Sequence, residues 1–209
     1  MRLLSFLTAT VLLFASCATI SYSPLVNLDV SPATIHKNVQ VNKFKDNSDP
    51  KHRNNPFLGM SATNEQSMAN DLDLELTNAI TKDLHTNGVF DNVKRRMEDA
   101  DLIISGEIRT FQAQYMLTDY GYISFVTILP ILTWYFGVPV NKNLVVLAID
   151  FTVSDANGNL IKKYSKSYYE VDRSSMYKNI FLSLPSTTNK GLGAIVEEFR
   201  EDLLRDFKE

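Results

Sequence analysis

The sequence predicts an α+β domain: a mainly antiparallel sheet with two amphipathic helices packed on one face and an apolar insertion between strands. Three observations carry this. Val145, Leu147, Ile149, Phe151 and Val153 alternate with period two, Asn157-Gly158 is a hairpin turn signal, and residues 160–171 return as the partner strand. Two other runs have helical spacing: Ala69, Leu72, Leu76, Ala79, Ile80 and Leu84, then Leu192, Ile195, Val196, Phe199, Leu203 and Phe207. Finally, residues 120–140 hold no charge at all, although a strand is expected on each side of them.

In chain order, residues 18–30 mix polar and apolar side chains around Pro24 and read as a tether. The alternation of Leu25, Asn27, Leu28 and Val30 leaves a short strand open there. Residues 39–44 alternate as a half-buried strand, and residues 45–59, rich in Asn, Asp and Pro, read as a loop. Thr63-Asn64-Glu65-Gln66 fits a capping box for a helix of about twenty residues, which Asn87-Gly88 stops. Its other face carries Asp71, Glu75, Asn78 and Lys82. With Asp73 these acids read as solvated, because no His stands beside them. After a short apolar segment at 89–93, residues 102–117 form a strand whose apolar face changes midway. Leu102, Ile104, Gly106 and Ile108 share one face and Phe111, Ala113, Tyr115 and Leu117 the other, which predicts a bulge or a strand that leaves the sheet. Residues 172–189, with Pro185 and a Ser/Thr run, read as irregular, and Thr187 or Asn189 as the cap of the last helix.

Composition narrows the function classes. The 209 residues include 21 basic and 24 acidic side chains. That weak acidic balance, without a basic face, excludes nucleic acid as a partner. Cys17 is the only cysteine, so no intramolecular disulfide forms.

The first seventeen residues set the compartment. Arg2 gives a positive start, residues 3–14 are uncharged, and Ala15 and Ser16 are small: a secretory signal peptide. Its apolar run is about a dozen residues, short of the roughly 20 that a spanning helix needs. Phe14-Ala15-Ser16-Cys17 resembles the lipobox of bacterial lipoproteins, departing from it at Phe14, where Leu is usual. The resemblance implies cleavage before Cys17, diacylglycerol on its thiol and a further acyl chain such as palmitate, with the bilayer as partner. Ala18, in place of the Asp that retains many such proteins at the inner membrane, implies the outer membrane. The expected organisation is a signal peptide at 1–16, a lipidated tether at 17–37 and one domain at 38–209 containing the insertion at 120–140. Without residues 1–16 the net charge is −4.

A straight helix through residues 120–140 would span about 31 Å, but Pro130 lies in its middle and the flanking strands belong to one sheet. A hairpin-like loop returning to the same side is therefore expected. Tyr122, Phe125, Ile128, Leu129, Ile131, Leu132, Trp134, Tyr135 and Phe136 are its candidate membrane- or partner-binding side chains. Completing the core is the other use such a stretch can have.

No constellation carries chemistry. His36, His52 and His85 lack metal spacing, Ser105-Gly106 belongs to no nucleophile elbow, and no glycine loop cradles phosphate, so neither cofactor nor metal is expected. The succession VQVNKF, LHTNGVFDNV, ADLIISGEI and VVLAIDFTVSDANGNLI resembles the small α+β domains of periplasmic envelope lipoproteins. These include auxiliary lipoproteins of ABC-type export systems and the amino-terminal domain of the Tol-system periplasmic protein. Covering residues 38–171, the resemblance implies a scaffold or assembly partner and carries no site residues. The expectation is a non-enzymatic envelope lipoprotein with a protein partner; the alternative is a hydrolase or binder of cell-wall glycan or lipid.

Overall fold

The computed structural model describes residues 21–49, 71–118, 137–139, 141–174 and 180–208. The chain runs β1 (Ile35–Val41), β2 (Lys45–Asp46), α1 (Leu72–Thr86), β3 (Phe90–Lys94), β4 (Leu102–Leu117), β5 (Asn141–Asp155), β6 (Leu160–Ser174) and α2 (Ile180–Phe207). The sheet order is β3-β1-β4-β5-β6, with β2 beside β4. Its two longest ladders, β4 with β5 and β5 with β6, are antiparallel, whereas β1 and β2 make only parallel ladders. The parallel part arises because α1 carries the chain from β1 back to a neighbouring strand, as a βαβ unit must. β4 begins opposite Val39, where β3 ends opposite Gln40, so the short 95–101 connection suffices.

Four local expectations meet their outcome here. The change of face in β4 is a bulge: the ladder to β5 shifts between Ile108 and Thr110, and both Ile108 and Phe111 stay buried. Residues 45–59 contain β2, which continues the line of β1 along β4. α1 starts at Leu72 rather than near Thr63, since Asp71 is extended, and the capping box at 63–66 lies outside the described residues. α2 starts by Ile180, not after Asn189, and contains Pro185. As the sixth helical residue, Pro185 forfeits an intrahelical bond to the carbonyl of residue 181, and the helix persists with Leu184 and Thr188 buried against the core.

Both helices cover one face, α1 over β1 and β3 and α2 over β4, β5 and β6. Their apolar stripes meet the inward side chains of the strands in one core. At its centre Phe151 of β5 stacks on Phe199 of α2, 4.0 Å between centroids and 9° between planes, with Phe44 edge-on at 5.7 Å. Lys162 and Lys166 of β6 reach Asp206 and Asp202 of α2, each at 2.7 Å. These ties set α2 antiparallel to β6.

Residues 21–34 differ most from expectation. Within the stretch read as a tether, they form a strap bound to the domain. Tyr22 is fully buried, edge-on to Phe111 at 5.1 Å. Asn189 of α2 accepts the Leu25 N–H on its carbonyl at 3.0 Å and the Ser23 N–H on Oδ1 at 2.9 Å. Asn87 Oδ1 accepts the Asp29 N–H at 2.6 Å, and Asn87 Nδ2 donates to the Asn27 carbonyl at 2.9 Å. Two glycines make room. A Cβ on Gly193 would lie 2.0 Å from the Leu25 carbonyl oxygen, and one on Gly88 2.3 Å from that of Ser31. Gly88 also holds φ at 60°, the left-handed stop expected after α1. Gly88→Ala is therefore expected to destabilise the fold by at least about 1–2 kcal/mol from backbone strain alone. Urea unfolding measures this, and faster amide exchange at Thr34, whose N–H donates to the Gly88 carbonyl at 2.8 Å, reports the displaced strap.

Candidate functional site

The expected sites, Cys17 and the insertion residues Tyr122, Phe125, Ile128, Leu129, Ile131, Leu132, Trp134, Tyr135 and Phe136, lie outside the described residues, as does His52. What is described is the neck of the insertion. Leu117 and Asn141 are paired across β4 and β5, and the Thr118 hydroxyl donates to the Pro139 carbonyl at 2.8 Å. The chain thus leaves and returns through adjacent strands, as the hairpin-like reading requires. Among the described residues no helix is long and apolar enough to cross a membrane.

The strap leads to this same end. From Leu25 beside Gly193 to Ser23 at Asn189 it climbs α2 toward the helix N-terminus. Because α2 is antiparallel to β6, that terminus lies toward Ser174, which pairs with Asn141 at the neck. The five residues from Tyr22 back to Cys17 span at most about 18 Å. Six residues of β4 separate Phe111, which Tyr22 touches, from Leu117, about 20 Å along the strand.

The sheet face turned away from the helices changes character along the strands. Toward the Asn157-Gly158 hairpin it is charged and matched: Arg109 Nε and Lys163 Nζ each lie 2.9 Å from an Asp150 oxygen. Burial works to raise the Asp150 pKa, but hydrogen bonds from Lys163 and Ser165 and the charge of Arg109 hold it below the usual carboxylate range. Toward the neck the register stacks three rows, Gln112–Val146–Tyr169, Gln114–Leu144–Val171 and Met116–Lys142–Arg173. There Tyr169 is 71% exposed, Val171 39% and Met116 37%. The sequence signal for this band is the alternation of Tyr169, Val171 and Arg173 along β6.

The acids considered at the sequence level behave structurally. Asp73 pairs with Lys43 at 2.8 Å, and Asp71 is the exposed residue preceding α1. His36 approaches Asp91 at 3.1 Å on the surface, and His85 is exposed in the last turn of α1. Among the described residues no three His, Cys, Asp or Glu side chains converge on a metal-sized site. Asp83, unremarked in the sequence, is fully buried between the helices and bound by Arg200 Nη1 at 2.6 Å and Asn87 Nδ2 at 2.7 Å.

No protein-family model matches the chain, and no curated protein matches it in sequence. Among solved structures, a Xanthomonas campestris protein of the DUF330 family superposes with a TM-score of 0.57 at 11% identity, covering 86% of this chain and 91% of its own. That likeness shows a shared fold. Two lower matches are a PelC dodecamer from Paraburkholderia phytofirmans, TM-score 0.41, 10% identity, 83% and 95% coverage, and a minor lipoprotein from Acinetobacter baumannii, TM-score 0.34, 9% identity, 81% and 92% coverage.

Proposed function

We propose that this chain is a non-enzymatic accessory or assembly lipoprotein of the bacterial envelope. In this reading it is held at the bilayer by acylated Cys17 and presents residues 120–140 to the membrane or to an envelope protein. One observation supports the reading: the strap that leads back toward Cys17 runs along α2 in the direction of the sheet end at which the neck of the uncharged insertion lies. An acyl anchor about 18 Å or less from Tyr22 holds that end against the lipid, and two or more chains make such anchoring stable. Ala18 directs the protein to the outer membrane in this reading, if the cell has one.

The intact mass of protein extracted from the membrane fraction tests the anchor. A mass starting at Cys17 with diacylglycerol and an amide-linked acyl chain is expected. An unmodified start at Ala18, or a retained Met1, overturns it. For the insertion, Ile131→Asp combined with Trp134→Asp is expected to abolish in-cell cross-links formed from residues 120–140 while leaving the thermal unfolding midpoint in place. Loss of the folded state would instead identify the insertion as core.

A further inference from the structure

We infer that the neck end of the open sheet face is a contact surface for anionic lipid headgroups, with Lys142 and Arg173 as its phosphate-binding side chains. This rests on the membrane-anchored reading and adds to it a second, lipid-selective contact. The two residues are register partners on β5 and β6, so two like charges stand side by side on one face. Opposed like charges destabilise a ladder unless a counter-charge meets them. Toward the hairpin on the same face, Arg109 and Lys163 share Asp150. Lys142 and Arg173 have no carboxylate within ion-pair distance among the described residues. The next acids along β6, Glu170 and Asp172, alternate onto the helix-covered face, where Glu170 accepts the Tyr168 hydroxyl.

The cations are continuous with an apolar band. Met116 completes their row, and Val171 and the half-buried Leu144 form the next, followed by Tyr169 and Val146. Basic groups bordering exposed aliphatic and tyrosine side chains match the headgroup zone, where phosphate meets the first methylenes. The band ends where the charge-matched half of the face begins, so only the neck end is suited to lie at that depth. Uncharged membrane lipid would satisfy the apolar band but leave the two cations without a partner. The surface therefore selects for anionic lipid.

The acylated full chain, reconstituted in vesicles, tests this, because acylation blocks its only cysteine. A fluorophore is placed on Val171→Cys or, as the distant control, on Ala156→Cys in the hairpin, about 40 Å away along the strands. Quenching by headgroup-borne nitroxide is read in phosphatidylcholine vesicles with and without phosphatidylglycerol. Strong quenching at 171 and little at 156 is expected, rising with phosphatidylglycerol and falling with salt. Lys142→Gln with Arg173→Gln should weaken the phosphatidylglycerol-dependent contact about 30-fold, roughly fivefold per cation. Lys163→Gln should leave it unchanged. Equal quenching at 171 and 156, or quenching indifferent to phosphatidylglycerol and to the double variant, overturns the inference while the acyl anchor stands, as would a 171 signal that a protein partner alone produces. Failure of the anchor shows separately, as a mass without acyl chains.

Discussion

Phe151→Ala is expected to remove about 3–5 kcal/mol of folding stability, a large share of the 5–15 kcal/mol that holds a domain of this size. Phe151 is fully buried and joins three parts of the molecule: β5, α2 through the stack on Phe199, and the β1–β2 connection through Phe44. The cavity cannot collapse easily. Its register partner on β4 is Gly106, which brings no side chain to the site, and a Cβ there would lie 2.1 Å from the Phe44 ring. Urea denaturation should show a lower midpoint with an unchanged slope. A loss below about 1 kcal/mol, outside the range for buried Phe truncation, would mean that the stack is not the centre of the core.

Arg200→Met is the second large effect, and its size depends on pH. Asp83 is fully buried, so burial raises its pKa to about 6 from an ordinary 3.8, against the opposing charge and hydrogen bond of Arg200 and the hydrogen bond of Asn87. Without the guanidinium, a buried carboxylate is left uncompensated, which costs about 3–5 kcal/mol at pH 8. The folded pKa lies above the unfolded one, so between about 4 and 6 the folded chain binds more protons. This group therefore gains stability as the pH falls through about 6, and the gain is complete below 3.8. Removing Arg200 takes away a lowering influence and extends that window upward. The deficit of the variant should be clearly smaller at pH 5 than at pH 8, and Asp83→Asn added to Arg200→Met should recover part of it at pH 8. A pH-independent deficit would show that Arg200 acts by packing alone. Because Asn87 binds both Asp83 and the strap, amide exchange at Asp29 should accelerate in the same variant.

Much of the molecule follows from local pattern. The hairpin at Asn157-Gly158 is present, although its loop is held open to four residues by Asp155, whose carboxylate accepts from the Asn157 and Asn159 N–H groups. The slip of apolar period in residues 102–117 became the bulge at Ile108–Thr110, because a strand alternates strictly and only an extra residue moves its buried set to the other side. The Gly88 stop and the apolar faces of both helices were legible for the same reason: which side of an element is buried is written in its own few residues.

What local pattern does not contain is the identity of the partner. The parallel pairing of β1, the docking of residues 21–34, the burial of Asp83 and the helical course through Pro185 each depend on groups tens to more than a hundred residues away. A strap with two prolines looks like a tether until Asn87 and Asn189 are seen to satisfy its backbone, and a Pro-containing run looks irregular until the sheet beneath it offers apolar cover. The candidate site divides the same way. By itself the sequence determined a lipobox-like cysteine and an uncharged insertion, both matters of composition and spacing. Only the tertiary structure decided that the strap runs along α2 toward the sheet end that carries the neck, because that direction is set by how α2 lies antiparallel across β6, a relation that no segment carries alone.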